Sequence, residues 1–490
     1  MSGRPTTQTG RDWSWSSGSW PDPFFLLFVA AFEPGNACRV YRTDRFAEAL
    51  NASGYGEGKV TDRTTPSDEL RQFWAHAHVV THQRPRHASQ VKALRSSRLD
   101  RLGALGVVED DDQSFDVSPL NTSYVTYGFS EVTIERGGKR IYLWRDGVTR
   151  SRQGVPFEIE RNFRAALAHL QSLQEADLVT VAGPGLKKFY AQLNPNVVIV
   201  PNYLDFKQWV PLPLPKDRWI RFGWQGGSSH YQDWIDVCDG IEEAMAAEPR
   251  LRLVLYGQHF HGIFRRIDPR RMDLIPWVHL DAHPLQMARL NLDFGLIPLR
   301  DDEFGYGKSW VKWTEYSALR IPTIASRAPI YDVIEDGVTG FRAGHPKEWR
   351  DRILLLAHDE RLRRAVGEAA WRKNVQEFSV EKGLEDLLRV YGDNLLRKRR
   401  GEFLDGRELR PARGAGWWCP PSVPLRALRG EPGVEDGHDG SPRSRSLRIL
   451  GLRGAYPGRH ADPTPGDREE DRGPVEPPGE AREALGVSEG

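Results

Sequence analysis

Residues 308–341 read KSWVKWTEYSALRIPTIASRAPIYDVIEDGVTGF and carry the strongest signal for the fold. The segment SWVKWTEYSALR predicts a helix, and IPTIAS, which follows it directly, predicts a short buried strand. Short apolar strands alternate with amphipathic helices on both sides of this stretch. This alternation is typical of parallel βαβ units.

The alternation forms two series that are separated by a proline-rich segment. Strands in the first series are predicted at FFLLFVAAF (24–32), HVVTHQ (78–83), GVV (106–108), ADLVTVA and NVVIVPN. Strands in the second series are predicted at WIRFGWQG, LRLVLYG, WVHL (277–280), LDFGLIPL and IPTIAS. LDFKQWVPLPLPKDRW (204–219) concentrates prolines between them and predicts a linker.

We therefore predict an α/β protein with two Rossmann-like, doubly wound domains and a cleft between them. The first domain is expected at residues 23–203, the linker at 204–218 and the second domain at 219–398. Ligands of such sheets bind outside the carboxyl ends of the strands, which here points to the cleft.

Both ends of the chain have a different composition. Residues 1–22 are rich in Ser, Thr, Gly and Trp and predict a flexible leader, while 399–490 is dominated by Arg, Gly, Pro and Glu and predicts a disordered tail. The apolar run 24–32 has nine residues against the ~20 of a membrane-spanning helix, and no convincing signal-cleavage site follows it. We expect a buried strand there and no transmembrane segment.

The charge and cysteine content restrict the class of protein. Lys plus Arg number 68 and Asp plus Glu 67, so the net charge of +1 gives no support for a nucleic-acid partner. The three cysteines, Cys38, Cys238 and Cys419, are far apart, which excludes a disulfide framework and a thiolate zinc site. We expect a cytoplasmic protein; peripheral contact with a membrane stays open.

Residues 308–341 strongly resemble the nucleotide-binding half of GT-B glycosyltransferases of the group-1 (family 4-like) class. That class carries a Glu-led helix, then Gly-x-Pro-Val-Ile-Ala-Ser, a Glu and Gly-x-x-Gly. The matching features are Glu315, RIPTIAS (320–326) with Arg320 in place of the Gly, Glu335 and GVTG (337–340). Further matches are EADLVTVAGPGLKKFY (175–190), VIVPNYLDFKQWVP (198–211) and FSVEKGLEDLLRVYGDNLL (378–396), the last resembling a terminal helix that returns to the first domain.

The resemblance covers about residues 24–398 and implies an activity. It implies transfer of a hexose from a nucleotide-sugar donor to a hydroxyl of a glycan, a glycolipid or a polysaccharide, with retained anomeric configuration. No cofactor and no metal are expected.

The resemblance implies a donor site in the second domain, and the residues there have a suitable chemistry. Glu315, at the start of a helix, would accept hydrogen bonds from the ribose hydroxyls. Lys308 and Lys312, four apart and thus on one helix face, would stabilise the diphosphate leaving group. The turn of Gly226, Gly227 and Ser228 would bring backbone N–H groups to a phosphate, with His230 nearby. The alternative for Glu315 and the two lysines is that they are solvent-facing side chains. The alternative for the glycine-rich segment is an ordinary turn without a ligand.

One position departs from the family pattern. Many retaining members have a Glu eight residues before the ribose-binding one, where it contacts the donor sugar. Here that position is Gly307, and the nearest upstream carboxylate, Glu303, is out of register. Retention and activity therefore do not follow from the resemblance alone.

The first domain would hold the acceptor. Arg42, in the loop after the first strand, and His82 and Arg84, at the end of the next, are expected at strand ends that line the cleft; surface charge or turn capping is the alternative. His82 is a candidate catalytic residue. His76 and His78 are expected to be structural.

The aspartates 110–112 follow the GVV strand and admit three interpretations. An Asp-x-Asp motif binds a divalent metal in GT-A glycosyltransferases, but that fold explains neither the linker nor the Glu315 region. Asp111 or Asp112 could instead orient or deprotonate an acceptor hydroxyl as a catalytic residue. A solvated turn is the third interpretation.

Two rival functions remain. A GT-B epimerase or phosphorylase is one, although no pyridoxal-phosphate lysine site is evident. The other is a catalytically inactive GT-B module that binds a glycan or a partner.

Overall fold

The computed structural model describes residues 23–99, 104–115, 117–119, 121–136, 138–144, 156–258 and 261–402. The predicted leader, and the predicted tail beyond residue 402, lie outside these ranges.

The first domain contains a six-stranded parallel sheet in the order β2-β1-β3-β4-β7-β8. Its strands are β1 (Phe24–Val29), β2 (Gly56–Thr61), β3 (Val79–Gln83), β4 (Leu105–Asp110), β7 (Leu178–Val181) and β8 (Val197–Ile199). A hairpin of β5 (Thr133–Arg136) and β6 (Lys139–Tyr142) stands apart. The helices are α1 (Ala37–Arg39), α2 (Arg45–Ser53), α3 (Ser67–His76), α4 (Ala88–Leu99), α5 (Tyr124–Tyr127), α6 (Ile159–Glu175) and α7 (Pro184–Tyr190).

The second domain contains a six-stranded parallel sheet in the order β11-β10-β9-β12-β13-β14. Its strands are β9 (Ile220–Gly226), β10 (Leu251–Gly257), β11 (Met272–Ile275), β12 (Phe294–Ile297), β13 (Thr323–Ser326) and β14 (Phe341–Ala343). The helices are α8 (Tyr231–Ile235), α9 (Cys238–Ala247), α10 (His283–Arg289), α11 (Glu303–Tyr306), α12 (Val311–Ala318), α13 (Pro346–His358), α14 (Glu360–Glu377) and α15 (Val380–Arg399).

These two sheets confirm the predicted architecture of two doubly wound, Rossmann-like domains. In each sheet the strand order reverses once, between β1 and β3 in the first and between β9 and β12 in the second. The loops that leave a sheet on either side of such a reversal diverge and open a crevice at the carboxyl ends of the strands. This topology selects the segments after β1, β3, β9 and β12 as the place for a site.

Two local predictions were wrong. The segment with Arg42 is not a loop, because α1 continues through a π-helical turn (Val40–Asp44) into α2, and the three form one helical run. WVHL is not a strand either, since β11 lies just before it and Pro276, which has no N–H to donate to a ladder, ends that strand. Strand β2 and helix α3 were not predicted, because charged and glycine residues conceal their periodicity.

The terminal helix α15 packs on the first domain, as the resemblance predicted. The Tyr391 hydroxyl lies 3.0 Å from Thr81 Oγ1 of β3, and Lys398 Nζ donates to the carbonyl of Ala104 at 2.6 Å. Leu204 at the start of the linker forms a bridge with Ser379 directly before the helix. Linker and terminal helix thus cross between the domains side by side.

Arg320, which replaces the family glycine, ends α12 in a left-handed conformation with φ +56°. The N–H of Arg320 donates to Ser317 O and that of Ile321 to Tyr316 O, the hydrogen bonds of a Schellman cap. A non-glycine residue there costs roughly 1–2 kcal/mol of backbone energy. Contacts of the guanidinium with Glu368 (2.8 Å) and the Trp371 ring (4.0 Å) offset part of this cost.

Candidate functional site

The Glu315 carboxylate lies at the contact between the two domains. Glu315 is the fifth residue of α12, so the prediction that it begins a helix was wrong. It is only 4 % exposed, and both oxygens have protein partners. Tyr41 of the first domain donates its hydroxyl to Oε1 at 2.6 Å, and Gln225 of β9 donates Nε2 to Oε2 at 2.5 Å. Ribose hydroxyls would bind here by replacing these donors.

An aromatic group lies beside Glu315. His283 Nε2 is 3.6 Å from Oε1 of Glu315 and, although it is buried, has no hydrogen-bond partner among the described residues. The His283 ring stacks on Trp277 at 4.9 Å between centroids, and Trp277 stacks on Tyr256 at the same distance. The surroundings of Glu315 could not be predicted from the sequence, because Tyr41, Gln225, Tyr256, Trp277 and His283 come from five separate segments.

The two lysines of the predicted donor site have different environments. Helix α12 begins at Val311, so Lys308 precedes it and the prediction that both lysines share a helix face was wrong. Lys308 Nζ pairs with Asp112 of the first domain at 2.8 Å and lies 4.1 Å from the centre of the Phe304 ring. Lys312 Nζ instead lies 2.9 Å from His230 Nε2. The Lys308 charge is thus neutralised by a carboxylate across the interface, whereas Lys312 contacts an imidazole.

The glycine-rich turn after β9 lies beside Lys312. Gly226 has φ +155°, and a Cβ added there would meet Trp224 at 2.6 Å and Lys312 Cε at 3.2 Å. A Cβ on Gly227 would meet nothing within 4 Å, so the turn opens onto free space. Ser228 Oγ is hydrogen-bonded to Thr122 of the first domain at 2.8 Å. Both domains therefore fix the position of this turn.

Gly307, which lacks the family's sugar-binding carboxylate, packs against the first domain. A Cβ at Gly307 would lie 2.2 Å from Gln113 Cβ, closer than any real contact allows. A Cβ at Gly185 in α7 would likewise lie 1.9 Å from the carbonyl oxygen of the neighbouring Tyr306. A glutamate at position 307 is therefore incompatible with this approach of the two domains. Glu303, the nearest carboxylate upstream of Gly307 in the sequence, is the first residue of α11.

Asp110 does not follow β4 but ends it, and it is fully buried. Its oxygens accept from Arg84 Nε at 2.8 Å and from the Tyr190 hydroxyl at 2.6 Å, and His169 Nε2 lies 2.8 Å away. Burial alone would raise the pKa of Asp110, but Arg84 and His169 outweigh it and hold the pKa well below the usual range of a carboxyl. Asp110 is thus a structural anion at the centre of a buried network.

Asp111 and Asp112, the two predicted catalytic aspartates, are both engaged in ion pairs. Asp111 pairs with Arg84, and Asp112 with Lys308 of the second domain. Arg84 itself has φ +40°, an uncommon conformation for a non-glycine residue. It donates to Asp110, to Asp111 and, at 3.0 Å, to the Tyr127 hydroxyl. The chain bends at Arg84, and the one guanidinium contacts all three groups.

The guanidinium of Arg42, a predicted acceptor residue, is buried in the first domain. It donates to Glu109 Oε1 at 2.6 Å, to the Val200 carbonyl at 2.5 Å and to Asn202 Oδ1 at 3.1 Å. Asn202 in turn donates to Ser309 Oγ, next to Lys308, at 2.9 Å. Arg42 therefore supports the interdomain contact from behind instead of lining an open cleft.

His82 is the penultimate residue of β3 and so lies at the carboxyl end of that strand. Its ring is 2 % exposed and packs edge-on against Trp74 of α3, with centroids 5.6 Å apart. Burial lowers the pKa of His82 to about 4. This placement favours a packing role over the catalytic role predicted for His82.

We expect the buried His82 to make the protein sensitive to acid. Its pKa is about 4 when folded and about 6.5 when unfolded, so between these values the unfolded chain binds more protons. Stability is therefore lost as the pH falls from 6.5 towards 4. From pH 7 to pH 5 His82 should remove about 2 kcal/mol of unfolding free energy.

The test compares urea unfolding of the wild type and His82→Phe at several pH values from 7 to 5. Phenylalanine keeps a ring against Trp74 but does not titrate. As the pH falls, the wild type should therefore lose more unfolding free energy than the variant. Parallel curves for the two proteins would show that His82 is not buried in its neutral form.

The described residues lack two features. They contain no group of three or more His, Cys, Asp or Glu side chains that could hold a metal ion. Nor does any helix in the described ranges have the length and apolar character needed to cross a membrane.

Comparisons with known proteins rest on structure alone. No protein-family model and no curated protein matches the sequence. A glycosyltransferase from Rickettsia africae superposes with a TM-score of 0.50 at 12 % identity, over 76 % of this chain and 99 % of that one. For the sucrose-phosphate synthase of Thermosynechococcus elongatus the TM-score is 0.49 at 13 % identity, over 75 % and 98 % of the two chains. For HepE of Anabaena in complex with UDP and glucose it is 0.48 at 12 % identity, over 76 % and 100 %.

Proposed function

We propose that this chain, which has the GT-B fold, is a glycosyltransferase that transfers a sugar from a nucleotide-sugar donor to a hydroxyl acceptor. The observation that carries the proposal is the buried carboxylate of Glu315 beside Lys312 and an open glycine-rich turn. The carboxylate can accept hydrogen bonds from the ribose hydroxyls of a nucleotide, and Lys312 and the turn can bind its phosphates. The fold supports the proposal, since a glycosyltransferase from Rickettsia africae shares it.

In the proposed mechanism the second domain holds the donor. Glu315 accepts hydrogen bonds from the ribose hydroxyls after Tyr41 and Gln225 release it. The Lys312 ammonium stabilises the negative charge that grows on the diphosphate as the bond between sugar and oxygen breaks. The cation thereby takes the part that a metal plays in other enzymes, so we propose a metal-independent reaction.

The acceptor hydroxyl would enter from the first domain near Asp111 and Asp112. Asp112 is the better candidate for orienting or deprotonating it, because Asp112 lies at the interface and contacts Lys308 of the domain that would hold the donor. Asp111 shares the buried Arg84 and is held in place. Domain closure would exclude water and so limit hydrolysis of the donor. We propose a cytoplasmic enzyme acting on a glycan, a glycolipid or a polysaccharide.

The test is a panel of UDP-, GDP- and ADP-sugars. We expect at least one donor to raise the melting temperature and to be hydrolysed slowly without an acceptor, with the same rate in EDTA. Loss of hydrolysis on chelation would contradict the metal-independent mechanism. A flat response across the panel would contradict the proposal as a whole.

A second candidate function is a catalytically inactive GT-B module. Two observations favour it: both oxygens of Glu315 are already bound by protein groups, and Gly307 leaves no room for a sugar-binding carboxylate. Such a module would give thermal stabilisation by a nucleotide without any hydrolysis of the donor.

A further inference from the structure

We propose that His230, held by Asp233, is a positioning residue that directs the Lys312 ammonium onto the phosphates of the bound nucleotide. This inference rests on the proposed function, because it concerns the phosphate part of the same site. It assigns roles to His230 and Asp233 that the sequence did not indicate.

The protonation of the three groups follows from their contacts. His230 Nδ1 lies 2.6 Å from Asp233 Oδ2, and an ionised carboxylate can only accept, so the ring proton is on Nδ1. Nε2 of the neutral ring then has a free lone pair. Lys312 Nζ, 2.9 Å from Nε2, must be the donor. Burial and the neighbouring Lys312 lower the pKa of His230 to about 4, which agrees with a neutral ring.

The imidazole itself is held firmly. The Trp224 ring packs edge-on against it with centroids 5.8 Å apart. Asp233 also accepts from the backbone N–H of Arg300 through its other oxygen, at 3.0 Å. This second bond ties the segment after β12 to the segment after β9, the two sides of the crevice in the second sheet.

The charge of Lys312 has no direct counterion. Among the described residues no carboxylate lies within 4 Å of Lys312 Nζ, whereas Lys308 has Asp112 at 2.8 Å. A neutral imidazole uses one N–H of the ammonium and leaves two for another acceptor. The side chain passes Gly226, and the next residue, Gly227, faces open space. A phosphate in that space would supply the missing negative charge.

The charged groups around Lys312 also make its protonation sensitive to pH. It faces His230 and Asp233 from the segment after β9, Glu315 from its own helix, and Lys308 and Asp112 from the interface. Burial lowers the pKa of Lys312 to about 8, with Glu315 opposing the shift and Lys308 adding to it. Affinity for a diphosphate should therefore fall as the pH rises through about 8.

The experiment measures the affinity of UDP, GDP, ADP and their nucleosides for five proteins. These are the wild type, His230→Leu, His230→Gln, Lys312→Met and the double variant that combines His230→Leu with Lys312→Met. For the diphosphate that binds, we expect His230→Leu and Lys312→Met each to weaken affinity about tenfold while nucleoside affinity stays unchanged. The double variant should lose no more than Lys312→Met alone, because both changes remove the same interaction. Glutamine can accept from Lys312 through its amide oxygen, so His230→Gln should retain most of the affinity.

A pH series adds a readout that a merely structural role of His230 would not change. Without an acceptor for its N–H, the ammonium is less stable, so the pH midpoint of diphosphate binding should fall in His230→Leu and stay near 8 in His230→Gln. Unchanged diphosphate affinity in His230→Leu, or additive losses in the double variant, would overturn the inference. A variant whose nucleoside affinity also falls would do the same, since the effect would then not be specific for phosphate.

Failure of the proposed function would look different. In that case no nucleoside diphosphate or nucleoside binds the wild type. Binding of inorganic pyrophosphate then tests the positioning role of His230 independently of any nucleotide. Pyrophosphate binding by the wild type that is lost in both His230→Leu and Lys312→Met supports it, and any other result overturns it.

Discussion

Replacing Glu315 with glutamine should weaken nucleotide binding about 100-fold, or by ~3 kcal/mol. Hydrogen bonds to a charged group contribute about 1.5–3 kcal/mol each, and two ribose hydroxyls would share this carboxylate. Glutamine keeps the volume of the side chain but removes the charge and one acceptor. Glu315→Ala should abolish binding. Titration of the nucleotide that stabilises the protein in the donor panel measures both effects.

Two control variants distinguish the loss of ribose binding from a general loss of folded structure. Glu377→Gln changes an exposed carboxylate at the end of α14 and should leave nucleotide affinity unchanged. Tyr41→Phe removes the hydroxyl that now occupies Glu315 Oε1, so it should bind the nucleotide at least as tightly as the wild type. If Glu315→Gln binds like the wild type, the ribose hydroxyls do not bind at Glu315.

Replacing Asp110 with alanine should destabilise the protein by about 3–5 kcal/mol, the usual cost of leaving one partner of a buried ion pair uncompensated. The change removes the acceptor of Arg84 Nε, of the Tyr190 hydroxyl and of His169. Within the part of the chain that the structure describes, Arg84 would keep one ionic partner, Asp111. Urea unfolding followed by circular dichroism measures the loss.

The control for Asp110 is an ion pair of the same chemistry on the surface. Asp217 pairs with Arg221 at 2.6 Å, but half of its side chain is exposed. Water replaces the lost interactions there, so Asp217→Ala should change stability far less than Asp110→Ala. Equal effects of the two substitutions would show that the Asp110 network contributes no more than a surface pair.

The sequence alone predicted most strands, the longer helices and the two-domain order. Strands such as β1 and β12 are continuous apolar runs, and helices such as α6 repeat their apolar residues at helical spacing. These signals are local, since they depend on which face of one element is buried. Where the local signal was weak, as in β2 and in the helical run that contains Arg42, the prediction failed.

The composition of the site was predictable only in part. Glu315 was identified from the resemblance and Lys312 from its charge and its spacing to Lys308, and both lie beside the glycine-rich turn. The partners that determine how these groups act were not predictable. Tyr41 is 274 positions from Glu315 in the sequence, Asp112 is 196 from Lys308, and His230 is 82 from Lys312.

The sequence by itself thus determined which elements form and that they build two similar domains. Only the tertiary structure decided which charges are neutralised: Lys308 by Asp112, Arg84 by Asp110 and Asp111, and Lys312 by no carboxylate among the described residues. The physical reason is the range of the interactions. Periodic burial acts between neighbouring residues of one element, whereas an ion pair or a hydrogen bond requires a few ångströms between side chains that only the packing of two domains brings together.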